Sequence, residues 1–269
     1  MRADLVPDDL WERVARLLPP SPERRHRHPG RLRVPDRAAL AGIMYVLRTG
    51  VAWRDVPAEI VGCSGVTAWR RLRDWTEAGV WPRLHAELLA ELRKTGLLEM
   101  DDCAIDGSHV RALKRGDHVG PSPVDRARPG SKHHLIVDRR GTPLAVSVTG
   151  GNRHDVTQLM PLLDAIPRIR GLRGRPRSKP KRLFADRGYD YDKYRRLLWR
   201  RGVKPLIARR GVAHGSGLGK TRWVVERTFA WLHQFKRLRI RYERRADLHQ
   251  GLLELACSII CLRRLRTSF

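Results

Sequence analysis

The sequence predicts a two-part chain: an all-α unit over residues 1–98, then an α/β unit over 99–269 built on a mixed sheet flanked by helices. Three observations carry this. Up to Gly96 the apolar residues recur at three- and four-residue intervals, the period of an amphipathic helix. Beyond it, short apolar runs bounded by Gly, Pro and Asp alternate with helical stretches, as a helix-flanked sheet requires. The 269 residues are 41% hydrophobic, enough for a real core and more than one folding unit.

In the first unit, Pro7-Asp8 suits a helix start, Leu10, Trp11, Val14, Leu17 and Leu18 recur at helical spacing, and Pro19-Pro20 stop the run. Residues 21–35 are rich in Pro, Arg and His and read as a basic loop. A second helix starts at Asp36 and ends at Gly50, with Ala39, Leu40, Ile43, Met44 and Leu47 on its apolar face. A short piece from Trp53 to Ile60 precedes the Cys63-Ser64-Gly65 turn and a helix capped by Ser64. That helix carries Val66, Trp69, Leu72 and Trp75, with Thr67, Arg70, Arg71 and Asp74 on its other face. A helix, a tight glycine turn and an Arg-bearing helix form a helix-turn-helix-like arrangement, which makes Arg70 and Arg71 candidate DNA contacts. The run from Val80 to Arg93 closes the unit.

Charge narrows the function. Lys and Arg total 55 against 28 Asp and Glu, a formal net charge of +27. A phosphate backbone is the usual partner for such a chain, so double-stranded DNA is expected. The arginines run through the whole chain rather than along one amphipathic helix, which argues against a membrane surface. No stretch reads as a signal peptide or a bilayer span, so a cytoplasmic location is expected. Cys63, Cys103, Cys257 and Cys261 lack a disulfide or metal framework and read as buried thiols.

The second unit opens with a strand around Cys103–Val110 that carries Asp106. Residues 114–131 read as a basic loop. His133–Val137 and Pro143–Val148 follow as strands joined by the Asp138–Gly141 turn. Asp155 then caps a helix, Leu183–Phe184–Ala185 is a strand ending in Asp186, Tyr189–Arg201 is a helix and Val203–Ala208 a strand. After a Gly-rich stretch, Arg222–Arg237 reads as a helix bearing Glu226, and a last apolar helix, Asp247–Leu265, should pack on the sheet. Strand, strand, strand, helix, strand, helix, strand, helix is the order of the RNase H-like fold. If the first and fourth strands are neighbours, Asp106 and Asp186 project together and the later helix lays Glu226 beside them. Three converging carboxylates call for cations, and an all-oxygen donor set suits Mg²⁺ or Mn²⁺. Two ions about 3.5–4 Å apart support in-line phosphoryl transfer.

At these residues the sequence resembles the DDE transposases of bacterial insertion sequences. The phrases are Ala104-Ile-Asp106-Gly-Ser, Phe184-Ala-Asp186-Arg-Gly-Tyr189-Asp and Arg222-Trp-Val-Val-Glu226-Arg-Thr-Phe-Ala-Trp-Leu. Gly50-Val-Ala-Trp53-Arg-Asp-Val-Pro57 is similar to that family's helical DNA-binding region. The resemblance implies Asp106, Asp186 and Glu226 as the metal-binding catalytic triad, cleavage at element ends followed by strand transfer, and a homodimer that synapses two ends. Arg222 matches the arginine of the family's tyrosine–arginine–glutamate–lysine signature, which contacts DNA. Gly219 stands at the tyrosine position and His233 at the lysine position, leaving Lys236 and Arg237 as stand-ins for the phosphate contact.

Other groups are read more plainly. Asp101 and Asp102 read as solvated, Asp190 and Asp192 as first-turn helix acids, and Trp223 and Trp231 as core. His154 and Asp155 are auxiliary active-site candidates, and at most one of His133 and His134 faces the site. Two further functions fit the residues: an RNase H-like nuclease or resolvase that cuts without joining, and a non-catalytic DNA-binding regulator. The helical N-terminal unit favours the transposase, because a nuclease needs no dedicated end-recognising part.

Overall fold

The computed structural model describes residues 5–21, 23, 27, 31–212, 217 and 219–267. The basic loop expected at 21–35 and the Gly-rich stretch before Glu226 fall partly outside these.

The helical layer contains α1 (Asp8–Ala15), α2 (Asp36–Thr49), the single turn α3 (Ala58–Val61), α4 (Gly65–Glu77) and α5 (Val80–Lys94). Ser64 caps α4 as expected, its Oγ accepting from the Thr67 N–H at 3.3 Å. α4 buries Ala68, Leu72 and Trp75, while Val66 is 54% exposed.

The α/β part contains β1 (Asp102–Ala112), β2 (Gly120–Pro121), β3 (Pro129–Asp138), β4 (Pro143–Gly150), α6 (Leu159–Ala165), β5 (Arg182–Ala185), α7 (Asp192–Arg200), β6 (Lys204–Ile207), α8 (Gly219–His233), β7 (Ile240–Arg241) and α9 (Ala246–Arg266). The central strands run β4–β3–β1–β5–β6, with the first three antiparallel and β1, β5 and β6 parallel. β2 extends β3, and β7 pairs in parallel with the far end of β1. This mixed sheet, with its antiparallel meander and two parallel strands, is the RNase H-like arrangement the element order predicts.

α9 is buried on nearly every side. Leu252, Leu253, Leu255, Ala256, Cys257, Ile260 and Cys261 each expose 4% or less. It lies between α5 and the sheet, so one apolar core runs across the change from helix to strand at residue 98. All four cysteines are buried and free, as expected.

Several local expectations change. The Tyr189–Arg201 helix divides into a 3₁₀ turn, Arg187–Tyr189, and α7. Asp190 precedes α7 and pairs with Arg195 at 2.7 Å, so only Asp192 is a first-turn acid. Asp102 is buried and pairs with Arg182 and Arg139 rather than being solvated. Asp155 opens a 3₁₀ turn without capping it, because its carboxylate is drawn to Lys132. Trp223 is 48% exposed, not core: it and half-buried Trp231 flank the Arg227 guanidinium, at 4.3 and 4.8 Å from the ring centres.

Candidate active site

The sheet register brings the two aspartates together. β1 and β5 pair with Ala104 opposite Phe184. Two residues further on, Asp106 and Asp186 reach the same level, and the two-residue period of a strand puts both on one face. Asp106 sits mid-strand, whereas Asp186 lies just past the end of β5. There its Oδ1 accepts the Gly188 N–H at 2.8 Å and shapes the turn.

Burial pushes the Asp106 carboxyl up to about 6. The Gly107 N–H, 2.8 Å from Oδ1, and the Arg222 guanidinium, 3.3 Å from Oδ2, oppose that rise, while the charges of Asp186 and Asp155 add to it. Arg222 comes from the first turns of α8 and also lies 3.9 Å from Glu226, so it bridges the two acids. Glu226 is 66% exposed, in reach of the cleft but outside it. Among the described residues, no three His, Cys, Asp or Glu side chains converge closely enough to hold a metal ion.

Asp155 approaches β1 across Gly107. A Cβ on Gly107 would lie 2.9 Å from Asp155 Oδ1 and 3.2 Å from His134 Nδ1, so this close approach needs glycine. Lys132, 7% exposed, holds Asp155 at 2.9 Å. His134 shares this environment, and burial pushes its imidazole down to about 4; His133 faces away, 2.8 Å from His249. One histidine of the pair therefore faces the site, as alternation requires. The Tyr189 hydroxyl is buried with no hydrogen-bond partner among the described residues. Burial raises its pKa, and the charges of Asp106, Asp155 and Asp186 raise it further.

The cation candidates fare differently. Arg70 is exposed on α4. Arg71 is 13% exposed and donates to Asp36 at 3.0 Å, which ties α4 to α2 instead of leaving it on the surface. Lys236 is exposed. Arg237 is turned inward, 4% exposed, bonded twice to Glu243 Oε1 and once to the Val51 carbonyl at 2.9 Å. The expectation that Arg237 grips phosphate therefore gives way to a buried ion pair. His233, at the signature's lysine position, packs against Phe229 with Nε2 buried and without a hydrogen-bond partner among the described residues, and burial lowers its pKa.

The oxygen-only pair Asp106–Asp186, half-buried and facing a single arginine, suits a hard divalent cation. Sequence reasoning passed over Lys132 and quoted Tyr189 within the Phe184-to-Asp190 phrase without giving it a role. Tyr189 sits three residues after a recognised aspartate, but its burial leaves no mark in the pattern.

An RNase H-like sheet with one aspartate on β1, a second just past the end of β5 and a glutamate on the later helix α8 is the arrangement of the polynucleotidyl-transfer class. The chain belongs to the family described as "Transposase DDE domain", which matches residues 98–261. Members of that family depend on divalent metal and act on DNA. Residues 6–85 match "Putative transposase of IS4/5 family". A Burkholderia cepacia protein, "Putative transposase for insertion sequence element IS402", is 63% identical over 148 residues, covering 55% of this chain and 70% of that one. A second Burkholderia cepacia protein, "Insertion element IS402 uncharacterized 16.2 kDa protein", is 52% identical over 124 residues, covering 46% of this chain and 84% of that one. Among solved structures, the Mos1 strand transfer complex aligns over 91% of this chain and 79% of its own, at 12% identity and a TM-score of 0.32. Among the described residues, no helix is long and apolar enough to cross a membrane.

Proposed function

We propose that this DNA transposase cuts at the ends of its element and joins them to target DNA, with Asp106, Asp186 and Glu226 as its catalytic carboxylates. The observation that carries the reading is the register-matched pair Asp106–Asp186 with Arg222 bridging from Asp106 to Glu226. Two Mg²⁺ or Mn²⁺ ions held by these three carboxylates would activate the attacking oxygen and stabilise the leaving one.

The protein's own residues prepare that site. Asp106 and Asp186 present oxygens from a rigid sheet. Arg222 balances the charge of Asp106 and Glu226; a DNA phosphate, which a guanidinium also binds by a bidentate contact, would compete for it and free Glu226 to turn inward. Residues 1–98 supply end recognition through the exposed face of α4, where Arg70 lies, and residues 99–269 supply the chemistry. Two protomers would synapse two ends in the cytoplasm.

The test is a plasmid carrying candidate element ends, supplied with Mg²⁺. Excision with joining is expected, and Asp186→Asn should abolish both while leaving end binding within about threefold, since phosphate contacts dominate affinity. Full activity in that variant would sink the assignment. Cutting without joining would point to a nuclease, and binding alone to a regulator.

A further inference from the structure

A groove of about 530 Å³ separates the helical layer from the sheet. Trp53, Arg54 and Trp69 line one side, and Lys114, Tyr242 and Arg244 the other. The loop from Leu113 to Asp117 continues this surface, again bordered by Arg244. Arg54, Lys114, Arg115 and Arg244 are all exposed. Among the described residues, Lys114, Arg115 and Arg244 have no carboxylate within ion-pair distance, and Arg54 has only its neighbour Asp55, at 3.6 Å.

Exposed cations are common in a chain of this charge; a loop built to hold them is not. Arg241 is fully buried in β7. Its guanidinium donates to the carbonyls of His118 at 2.9 Å, Glu243 at 3.0 Å and Arg244 at 3.0 Å, to that of Asp117, and to Ser131 Oγ at 2.9 Å. That uses all five donors of the group. Gly116 abuts the same segment, where a Cβ would fall 2.2 Å from the Arg244 carbonyl oxygen. The backbone of the loop and of Arg244 is thus anchored by one buried guanidinium, which brings the exposed cations they carry to the same groove as Trp69 of α4.

We infer that the clamped 113–117 loop, with Arg54 and Arg244, is a second grip on the phosphate backbone of the duplex that α4 meets. This rests on the reading that the chain binds element ends. The occupant is backbone rather than an extruded base, because the protein's own guanidiniums already face the groove's aromatic rings. Arg237 lies 5.7 Å from the Trp53 ring centre and 4.5 Å from that of Tyr242, and Arg73 lies 5.8 Å from that of Trp69. Contacts of this kind position DNA without reading its sequence.

The test is fluorescence anisotropy of the full chain with a labelled mixed-sequence duplex, in EDTA, across a range of salt. Lys114→Ala/Arg115→Ala/Arg244→Ala should bind about tenfold or more weakly, and its slope of log affinity against log salt should fall by roughly 2–3, one phosphate per cation removed. A matched control, Arg170→Ala/Arg173→Ala/Arg175→Ala, removes the same charge from another exposed loop and should keep the wild-type slope to within about 1. An unchanged slope in the loop variant, or an equal fall in the control, overturns the inference. Matching thermal midpoints for the two variants exclude unfolding as the cause. If the wild-type chain binds duplex but never cuts the plasmid supplied with Mg²⁺, the proposed chemistry falls and the grip stands. If it binds no duplex, both fall.

Discussion

Gly107 is a tightly constrained position beside the Asp106–Asp186 pair. The groups that a side chain there would meet cannot withdraw: Asp155 is fastened to Lys132 at 2.9 Å, and His134 to Thr149 at 2.7 Å. Gly107→Ala should therefore cost about 1–3 kcal/mol, as overpacking does, read as a lower urea midpoint. It should also impair cleavage, because any shift of β1 moves Asp106. A wild-type midpoint would show that the Asp155 side can relax. Asp106 and Asp186 were legible in the sequence because an acid in or just after a short apolar strand breaks the pattern. The Lys132–Asp155 pair joins a strand to a loop 23 residues away, and no periodicity records such a contact. Trp223 misled for the opposite reason. Its size suggests burial, yet the neighbouring Arg227 gives its ring a partner at the surface.

The segment between α8 and α9 does structural work that its charges hide. Arg237 joins the end of α2 to Glu243, which in turn meets His249 on α9, 3.3 Å away. Burial alone would raise the Glu243 carboxyl, but hydrogen bonding with His249 and the charge of Arg237 hold it down at about 2, from an ordinary 4.5. A depressed carboxylate adds stability above its unfolded pKa and loses it as pH falls through the folded one. The stability gap between the wild type and Glu243→Gln should thus be full above about pH 5 and close as pH falls towards 2. A gap that is constant with pH in urea titrations would refute this. Arg237→Ala strands a buried carboxylate and should cost about 3–5 kcal/mol, whereas exposed Lys236→Ala should stay within about 0.5 kcal/mol. Sequence reasoning grouped these two neighbours as DNA contacts, since it assigns every arginine to water. Only the fold reveals that one of them faces a buried glutamate.

At the scale of the molecule, the order of strands and helices along the chain and the helical N-terminal layer were legible because period two and period 3.6 differ sharply. The way the two parts join was not. An apolar run on all sides of α9 signals burial all round, but the sequence does not say that its second neighbour is α5 rather than more sheet. Separate fragments 1–98 and 99–269 should consequently fail to unfold cooperatively and should bind a hydrophobic dye, while mixing them restores a transition. Two independently cooperative fragments would contradict the shared core.

That shared core also sets an order of events during synthesis. Chains generally begin to fold from the end that leaves the ribosome first, yet α2, α4 and α5 find the helix that completes their core only when residues 246–266 emerge. A message cut short before that point should yield helices with an uncovered apolar face rather than a free-standing fragment. Broken copies of the gene would then have no stable product with which to occupy the element's ends against the intact enzyme.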